Sequence, residues 1–94
     1  MADSRVEGGR VGPVLTRGPL SEALIAAIRQ LNSEVEVVDR GAYLRVLVPG
    51  RCRVTRQAVE QHLGEPFALP ADLEEVMPSF LGRLSINAEE AIWT

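Results

Sequence analysis

The apolar residues of this chain change from a helical to an alternating spacing at Asn32. Over positions 20–31 they recur at intervals of three and four residues, which is typical of one face of an α-helix. They then alternate with charged residues at Val35 and Val37 and continue as a strand-like run over positions 43–48. The chain must therefore pack at least one helix against an antiparallel hairpin.

A first strand is predicted over residues 11–16. A glycine and a proline interrupt it, and because proline cannot donate to a strand ladder, we expect this strand to be peripheral. Pro49 and Gly50 then turn the chain into a third strand of the hairpin, residues 51–55. A two-residue loop would put arginines on the valine face, so we expect a bulge or an odd-length loop that shifts the register by one residue.

Two short helices are predicted in the second half of the chain. Thr55 is a suitable N-cap for a helix that Gly64 ends, because glycine accepts the left-handed conformation common after a helix. A further helix is expected to begin at Pro70 and to end near Met77, since another proline follows.

The chain is expected to finish with two strands, residues 82–86 and 91–93. Because it stops at Thr94, we expect the last strand to be frayed or completed by a partner. The predicted fold class is α+β, a small single domain of antiparallel β hairpins packed with two to three short helices, in β-α-β-β-β-α-α-β-β order. Residues 1–10 are predicted to form a flexible N-terminal arm, and residues 11–94 the domain.

Composition excludes several classes of function. The 94 residues carry a net charge of −3, which argues against nucleic-acid binding dominated by phosphate contacts. The longest apolar stretch is far shorter than the roughly 20 residues of a membrane span, and the first residues do not resemble a signal peptide. Since a single cysteine cannot form an internal disulfide, we expect a cytoplasmic protein.

Few side chains are suited to catalysis. His62 is expected to interact with the last carbonyls of its helix, and Cys52 to be a small core residue. Neither lies in a metal-binding or nucleophile motif, so we expect no metal, no cofactor and no catalytic residue. The acidic pairs at positions 74–75 and 89–90 are expected to be solvated, with a docking face as the alternative. The sequence thus favours a binding role over an enzyme.

Positive charge gathers on one hairpin and its exit. The four residues are Arg45, Arg51, Arg53 and Arg56. They form either a solvated strand face or a patch that orients an acidic partner, and the sequence leaves both possibilities open.

Several segments of the chain occur in a family-specific order and spacing. They are VGPV at 11–14, a first helix ending at Asn32, a hairpin with DR at 39–40 and AYLRV at 42–46, LGEPF at 63–67, and SF at 79–80 followed by Gly82. Over residues 11–92 these segments resemble the effector, or coupling, proteins of soluble di-iron multicomponent monooxygenases, and the toluene and alkene monooxygenase effectors are the most similar.

The resemblance implies an effector-like fold and a cofactor-free protein, monomeric when free. Such a protein docks on the di-iron hydroxylase of a monooxygenase that oxidises aromatic or alkene hydrocarbons. There it alters active-site geometry and gates oxygen activation, electron delivery and substrate access. No nucleic acid or membrane is implied as a partner. The partner-binding residues that the resemblance implies are Val11, Gly12, Pro13, Asn32, Arg45, Ser79, Phe80 and Gly82.

Among these residues we expect Asn32 and Arg45 to contact the partner, and Phe80 and Gly82 to be structural. An alternative function is a small-ligand-binding regulatory domain of the ACT-like kind, which is also antiparallel α+β and lacks catalytic groups.

Overall fold

The structure, a computed structural model, describes residues 9–94. Within this range the elements follow the order β-α-β-β-β-α-α-β-β-β. They are β1 (Arg10–Thr16), α1 (Pro19–Leu31), β2 (Glu36–Asp39), β3 (Tyr43–Pro49), β4 (Cys52–Thr55), α2 (Arg56–Leu63), α3 (Ala71–Val76), β5 (Ser79–Leu81), β6 (Leu84–Ile86) and β7 (Glu90–Trp93). The predicted α+β class is confirmed.

The ends of the helices follow from local chemistry. In α1 a proline occupies the first turn, where its missing N–H is not needed, and Asn32 is the C-cap. In α2 the hydroxyl of Thr55 accepts a hydrogen bond from the backbone N–H of Ala58 at 3.1 Å. Gly64 ends that helix with a φ of 81°, as predicted.

The first sheet has the strand order β2-β3-β1-β5. The predicted hairpin is present as β2 and β3, but the prediction that β1 is peripheral is wrong, because β1 lies between β3 and β5. The β1–β3 register pairs Val11 with Val48 and Val14 with Arg45, and the glycine and proline between them form no pair with β3. A proline is therefore accommodated in an interior strand.

The second sheet has the order β4-β7-β6. The prediction that β4 is a third strand of the hairpin with a shifted register is wrong, since β4 pairs with β7. The physical reason is the apolar face of β4. Against β3 it would oppose arginines to valines, whereas against β7 Cys52 pairs with Trp93 and Val54 pairs with Ala91.

Two further differences concern the end of the chain. β7 is the central strand of its sheet and Trp93 is fully buried, so the last strand is neither frayed nor left for a partner to complete. β5 was not predicted, because Phe80 continues the helical spacing of the preceding residues. Its residues pair instead with Gly12, Pro13 and Val14 of β1.

The core lies between the helices and the inner faces of both sheets. α1 packs against α2 and β4, and its buried side chains include Leu24 and Ile28. They join Val46 and Val48 of β3 and Trp93 of β7 in one cluster. Burial of each large side chain contributes roughly 1.5–3 kcal/mol before entropy is counted. The opposite face of the first sheet, which includes Tyr43, lies outside this core.

The predicted N-terminal arm lies outside the described residues, except for Gly9 and Arg10. Arg10 is the first residue of β1, and Gly9 accepts a hydrogen bond from the backbone of Gly50 at 2.8 Å. None of the helices in residues 9–94 has the length and apolar character needed to cross a membrane.

Candidate functional site

A groove of about 500 Å³ lies on the first sheet, where β1, β3 and β5 run side by side. Val14 of β1 pairs with Arg45 of β3 on one side and with Ser79 of β5 on the other, so the ladder itself brings these residues together. We call it the aromatic groove. Its lining residues are Val14, Arg40, Tyr43, Arg45, Pro78, Ser79, Phe80 and Leu81.

The aromatic residues of the chain divide evenly between core and groove. There are four in total, and Phe67 and Trp93 are almost fully buried. Tyr43 and Phe80 remain 40% and 39% exposed, and both line the groove. Aromatic side chains left half-exposed are typical of protein interfaces, where they provide large apolar area with few rotatable bonds.

The charged residues that line the groove are arginines, although the chain is acidic overall. Among residues 9–94, Arg40 and Arg45 line it and no carboxylate does. Asp39 directly precedes Arg40 in the sequence. Its carboxylate accepts hydrogen bonds of 2.8 Å from the backbone N–H of Gly41 and from the side chain of Arg17. These bonds, first that of Gly41 and then that of Arg17, lower the pKa of Asp39. Asp39 is thus held ionised within its own turn.

Three predicted partner-binding residues meet in the groove, namely Arg45, Ser79 and Phe80. Phe80 had been expected to be structural, but its side chain is partly exposed. Val11 is buried in the core cluster, so its side chain does not reach the surface.

Gly12, Pro13 and Gly82 shape the strands that carry the groove. Pro13 is fully buried. Gly12 has a φ of +148°, and a Cβ there would collide with the carbonyl oxygen of Val46 in β3. Gly82 has a φ of +93°, and a Cβ there would lie 2.7 Å from the carbonyl oxygen of Thr94. These two positions require glycine for structural reasons.

Asn32 lies away from the groove, between the end of α1 and β4. Its amide nitrogen donates to the carbonyls of Ile28 at 2.7 Å and Arg53 at 2.8 Å. Its amide oxygen accepts from the backbone N–H of Arg53 at 3.0 Å. The side chain therefore ties the helix to the second sheet.

The arginines of the predicted patch lie on different elements, with Arg45 in β3, Arg51 between β3 and β4, Arg53 in β4 and Arg56 at the start of α2. Arg53 forms an ion pair with Glu90 at 2.8 Å, and Arg56 forms one with Glu89 at 3.0 Å. Arg53 and Arg56 thus pair with carboxylates of the chain itself, and of the four arginines only Arg45 lines the groove. The acidic residues at positions 89–90 are thus intramolecular partners, a pairing that the sequence did not indicate.

The other candidate side chains have structural surroundings. Cys52 is buried as predicted, and burial raises the pKa of its thiol to about 12, which keeps it protonated at neutral pH. The imidazole Nε2 of His62 lies 2.7 Å from Oε1 of Gln30 in α1, rather than against the carbonyls of its own helix. In residues 9–94 no group of three or more potential ligands is placed to hold a metal ion.

Sequence reasoning missed the groove residues Tyr43 and Arg40. A signal for Tyr43 was present, because it alternates with core residues of β3 and shares a face with Arg45. Arg40 lies in the β2–β3 turn, and its backbone N–H donates to the carbonyl of Tyr43 at 2.9 Å. The side chain of Arg40 reaches the groove because this hydrogen bond closes the turn.

Comparison with known proteins agrees with this architecture. The chain is 44% identical over 85 residues to the effector subunit of an alkene monooxygenase system from Xanthobacter autotrophicus, covering 88% of this chain and 83% of the relative. Its fold matches a chain in the structure of a phenol hydroxylase–regulatory protein complex with a TM-score of 0.78 and 19% identity, covering 89% and 94% of the two chains. Residues 9–94 match the MmoB/DmpM family. The resemblance seen in the sequence is thereby confirmed, and the chain belongs to the MmoB/DmpM family of monooxygenase effector proteins.

Proposed function

We propose that the chain is a cofactor-free regulatory component that docks on the di-iron hydroxylase of a multicomponent hydrocarbon monooxygenase. The observation that carries this proposal is the aromatic groove, which holds both exposed aromatic side chains of the described residues. Membership of the MmoB/DmpM family supports it, as does the similarity to an alkene monooxygenase effector subunit. In this proposal the free protein is a monomer in the cytosol.

The proposed surface divides the predicted residues by role. Arg45, Ser79 and Phe80 contact the hydroxylase directly, together with Tyr43. The residues that act through the shape of the strands are Val11, Gly12, Pro13 and Gly82. Asn32 acts through the position of α1, because its amide is bonded within the chain.

Regulation follows from differential binding. The effector changes the hydroxylase only if it binds one conformation better than another, since equal affinity shifts no equilibrium. In the proposal the favoured conformation admits substrate and couples electron delivery to substrate oxidation. The docked surface also excludes water from the path to the active site, which is a gating role and not a chemical step.

The experiment that tests this function is a titration of the protein into its hydroxylase and electron-transfer components. Product formed per NADH consumed is expected to rise and to saturate at a stoichiometric ratio of effector to active site. A flat response from a hydroxylase shown to be competent contradicts the proposal.

The same titration tests the role of Tyr43. Replacing Tyr43 by alanine removes an anchor from the groove and is expected to raise the concentration needed for half-maximal coupling by about 10-fold or more. Tyr43→Phe keeps the ring and serves as the matched control. Equal behaviour of the two variants would exclude the ring of Tyr43 from the docking surface.

The ACT-like alternative is supported by no observation on this chain. It requires an amino-acid ligand, which would raise the unfolding temperature by mass action. We expect no such rise with any of the common amino acids.

A further inference from the structure

Three grooves among residues 9–94 differ in the charged residues that line them. A groove of about 270 Å³ between α1 and α2 is lined by Glu22, and one of about 390 Å³ beside α3 by Glu65 and Asp72. Neither has an arginine in its lining. The aromatic groove, by contrast, has two arginines and no carboxylate. Cationic and aromatic character therefore occur together in that groove.

We propose that the occupant of the aromatic groove is an acidic, partly apolar surface segment of the hydroxylase. Its apolar side chains pack against Tyr43 and Phe80, and its carboxylates pair with Arg40. This inference rests on the proposed function and adds the chemistry of the partner segment. Arginine suits the task, because its planar guanidinium can form two parallel hydrogen bonds to one carboxylate.

The exposure of the groove favours a protein segment over a small molecule. Tyr43 and Phe80 each retain about two-fifths of their surface in contact with solvent. A small ligand is usually enclosed over about 70–90% of its surface. A segment of a larger partner instead covers such side chains from outside and leaves a solvated rim.

Arg40 is the residue at which the charge complementarity can be tested. It is exposed, and its side chain forms no hydrogen bond or ion pair among the described residues. The turn is closed by its backbone N–H, so a change of side chain leaves that hydrogen bond intact. Arg51 is a matched control, because it is also exposed and lies beyond the far end of β3.

The composition of the chain allows the partner carboxylate to be identified directly. All ten basic residues are arginine, so Arg40→Lys introduces a single ε-amino group. A carbodiimide joins such an amine to a carboxylate in contact with it. After treatment of the Arg40→Lys complex with the hydroxylase, mass spectrometry is expected to find a crosslink to an Asp or Glu of the hydroxylase. Arg51→Lys, treated in the same way, is expected to give none.

Affinity provides a second readout. Arg40→Glu is expected to weaken binding to the hydroxylase by about 10-fold at low ionic strength, mainly through slower association, and by less at high salt. Arg51→Glu makes the same change of charge beyond the far end of β3. At about 0.15 M ionic strength, where the Debye length is about 8 Å, it is expected to alter binding less than about 2-fold, whereas Arg40→Glu still weakens binding by more.

The outcomes separate the inference from the proposed function. If the unmodified chain does not bind the hydroxylase, the proposed function fails. If it binds but the two lysine variants crosslink equally, or Arg40→Lys gives no crosslink to the hydroxylase, the acidic-segment inference is overturned. A crosslink between two copies of the chain at the Arg40→Lys position, in place of one to the hydroxylase, also overturns it. Equal affinity of Arg40→Glu and Arg51→Glu for the hydroxylase would likewise overturn the inference.

Discussion

At Gly12 the backbone of β1 passes so close to β3 that no side chain fits between them. Gly12→Ala places a methyl group against the carbonyl oxygen of Val46 and also strains a φ of +148°. We expect it to lower the free energy of unfolding by about 3 kcal/mol. Gly50, at a φ of +73° with no atom near its Cβ position, is the matched control, and Gly50→Ala is expected to lose only about 1 kcal/mol. Urea unfolding measures both, and equal losses would contradict the close approach at Gly12.

Asn32 joins helix to sheet through three hydrogen bonds, one of them from the backbone N–H of Arg53. Asn32→Ala leaves the partly buried groups of Arg53 without these bonds, so we expect a loss of about 2 kcal/mol in the free energy of unfolding. The exposed neighbour Ser33 is the control, and Ser33→Ala is expected to stay within about 0.5 kcal/mol of the unmodified protein. A stable Asn32→Ala protein that binds the hydroxylase poorly would instead make Asn32 a contact residue.

Among the elements, α2 is connected to the loop that follows it by Glu60, and to the turn before β7 by Arg56. Glu60 accepts hydrogen bonds from the backbone of Phe67 at 2.9 Å and from Arg56 at 3.1 Å. The bond from Phe67 and then the charge of Arg56 lower the pKa of Glu60 below its usual value of 4.5. A carboxyl with a lowered pKa stabilises the fold above its unfolded-state value, and this contribution is lost as pH falls through the folded-state value.

Glu60→Gln is therefore expected to be less stable than the unmodified protein at neutral pH. The difference should shrink as the pH falls below 4.5, because the carboxyl then binds a proton in the unfolded state and, below its lowered pKa, in the folded state as well. Chemical unfolding at several pH values measures this, with Glu74→Gln on the exposed face of α3 as the control. A stability difference independent of pH would show that the charge of Glu60 is not what stabilises the loop.

The elements also show what the sequence could and could not determine. The helices and the β2–β3 hairpin were predictable, because their caps and periodicity are local. The position of β1 and the pairing of β4 were not, since both depend on strands far away in the chain. β5 was missed for the same reason: its three residues form a strand only because β1 is beside them.

The site was predictable only in part. The family resemblance supplied Arg45, Ser79 and Phe80, which the fold brings to one groove. It did not indicate that Arg40 and Tyr43 complete that groove, because their positions depend on a turn and on the sheet register. Spacing along the chain carries no information about which distant strands become neighbours.

At the scale of the whole molecule, the two sheets have different roles. The second sheet is bonded internally by the Arg53–Glu90 ion pair and the buried ring of Trp93, and Arg56 joins α2 to the turn before β7. The first sheet has the aromatic groove on its outer face, with Tyr43, Phe80 and two arginines in the lining. In a chain of net charge −3, this local positive charge can orient the protein as it approaches an acidic surface.

Docking through the first sheet is tested most directly by backbone hydrogen exchange of the protein with and without its hydroxylase. We expect the exchange to slow at residues 40–45 and 78–81, which border the groove, and to stay unchanged in α2 (Arg56–Leu63) on the other side of the core. Slower exchange confined to α2 and the second sheet, with no change around the groove, would contradict the proposed docking surface.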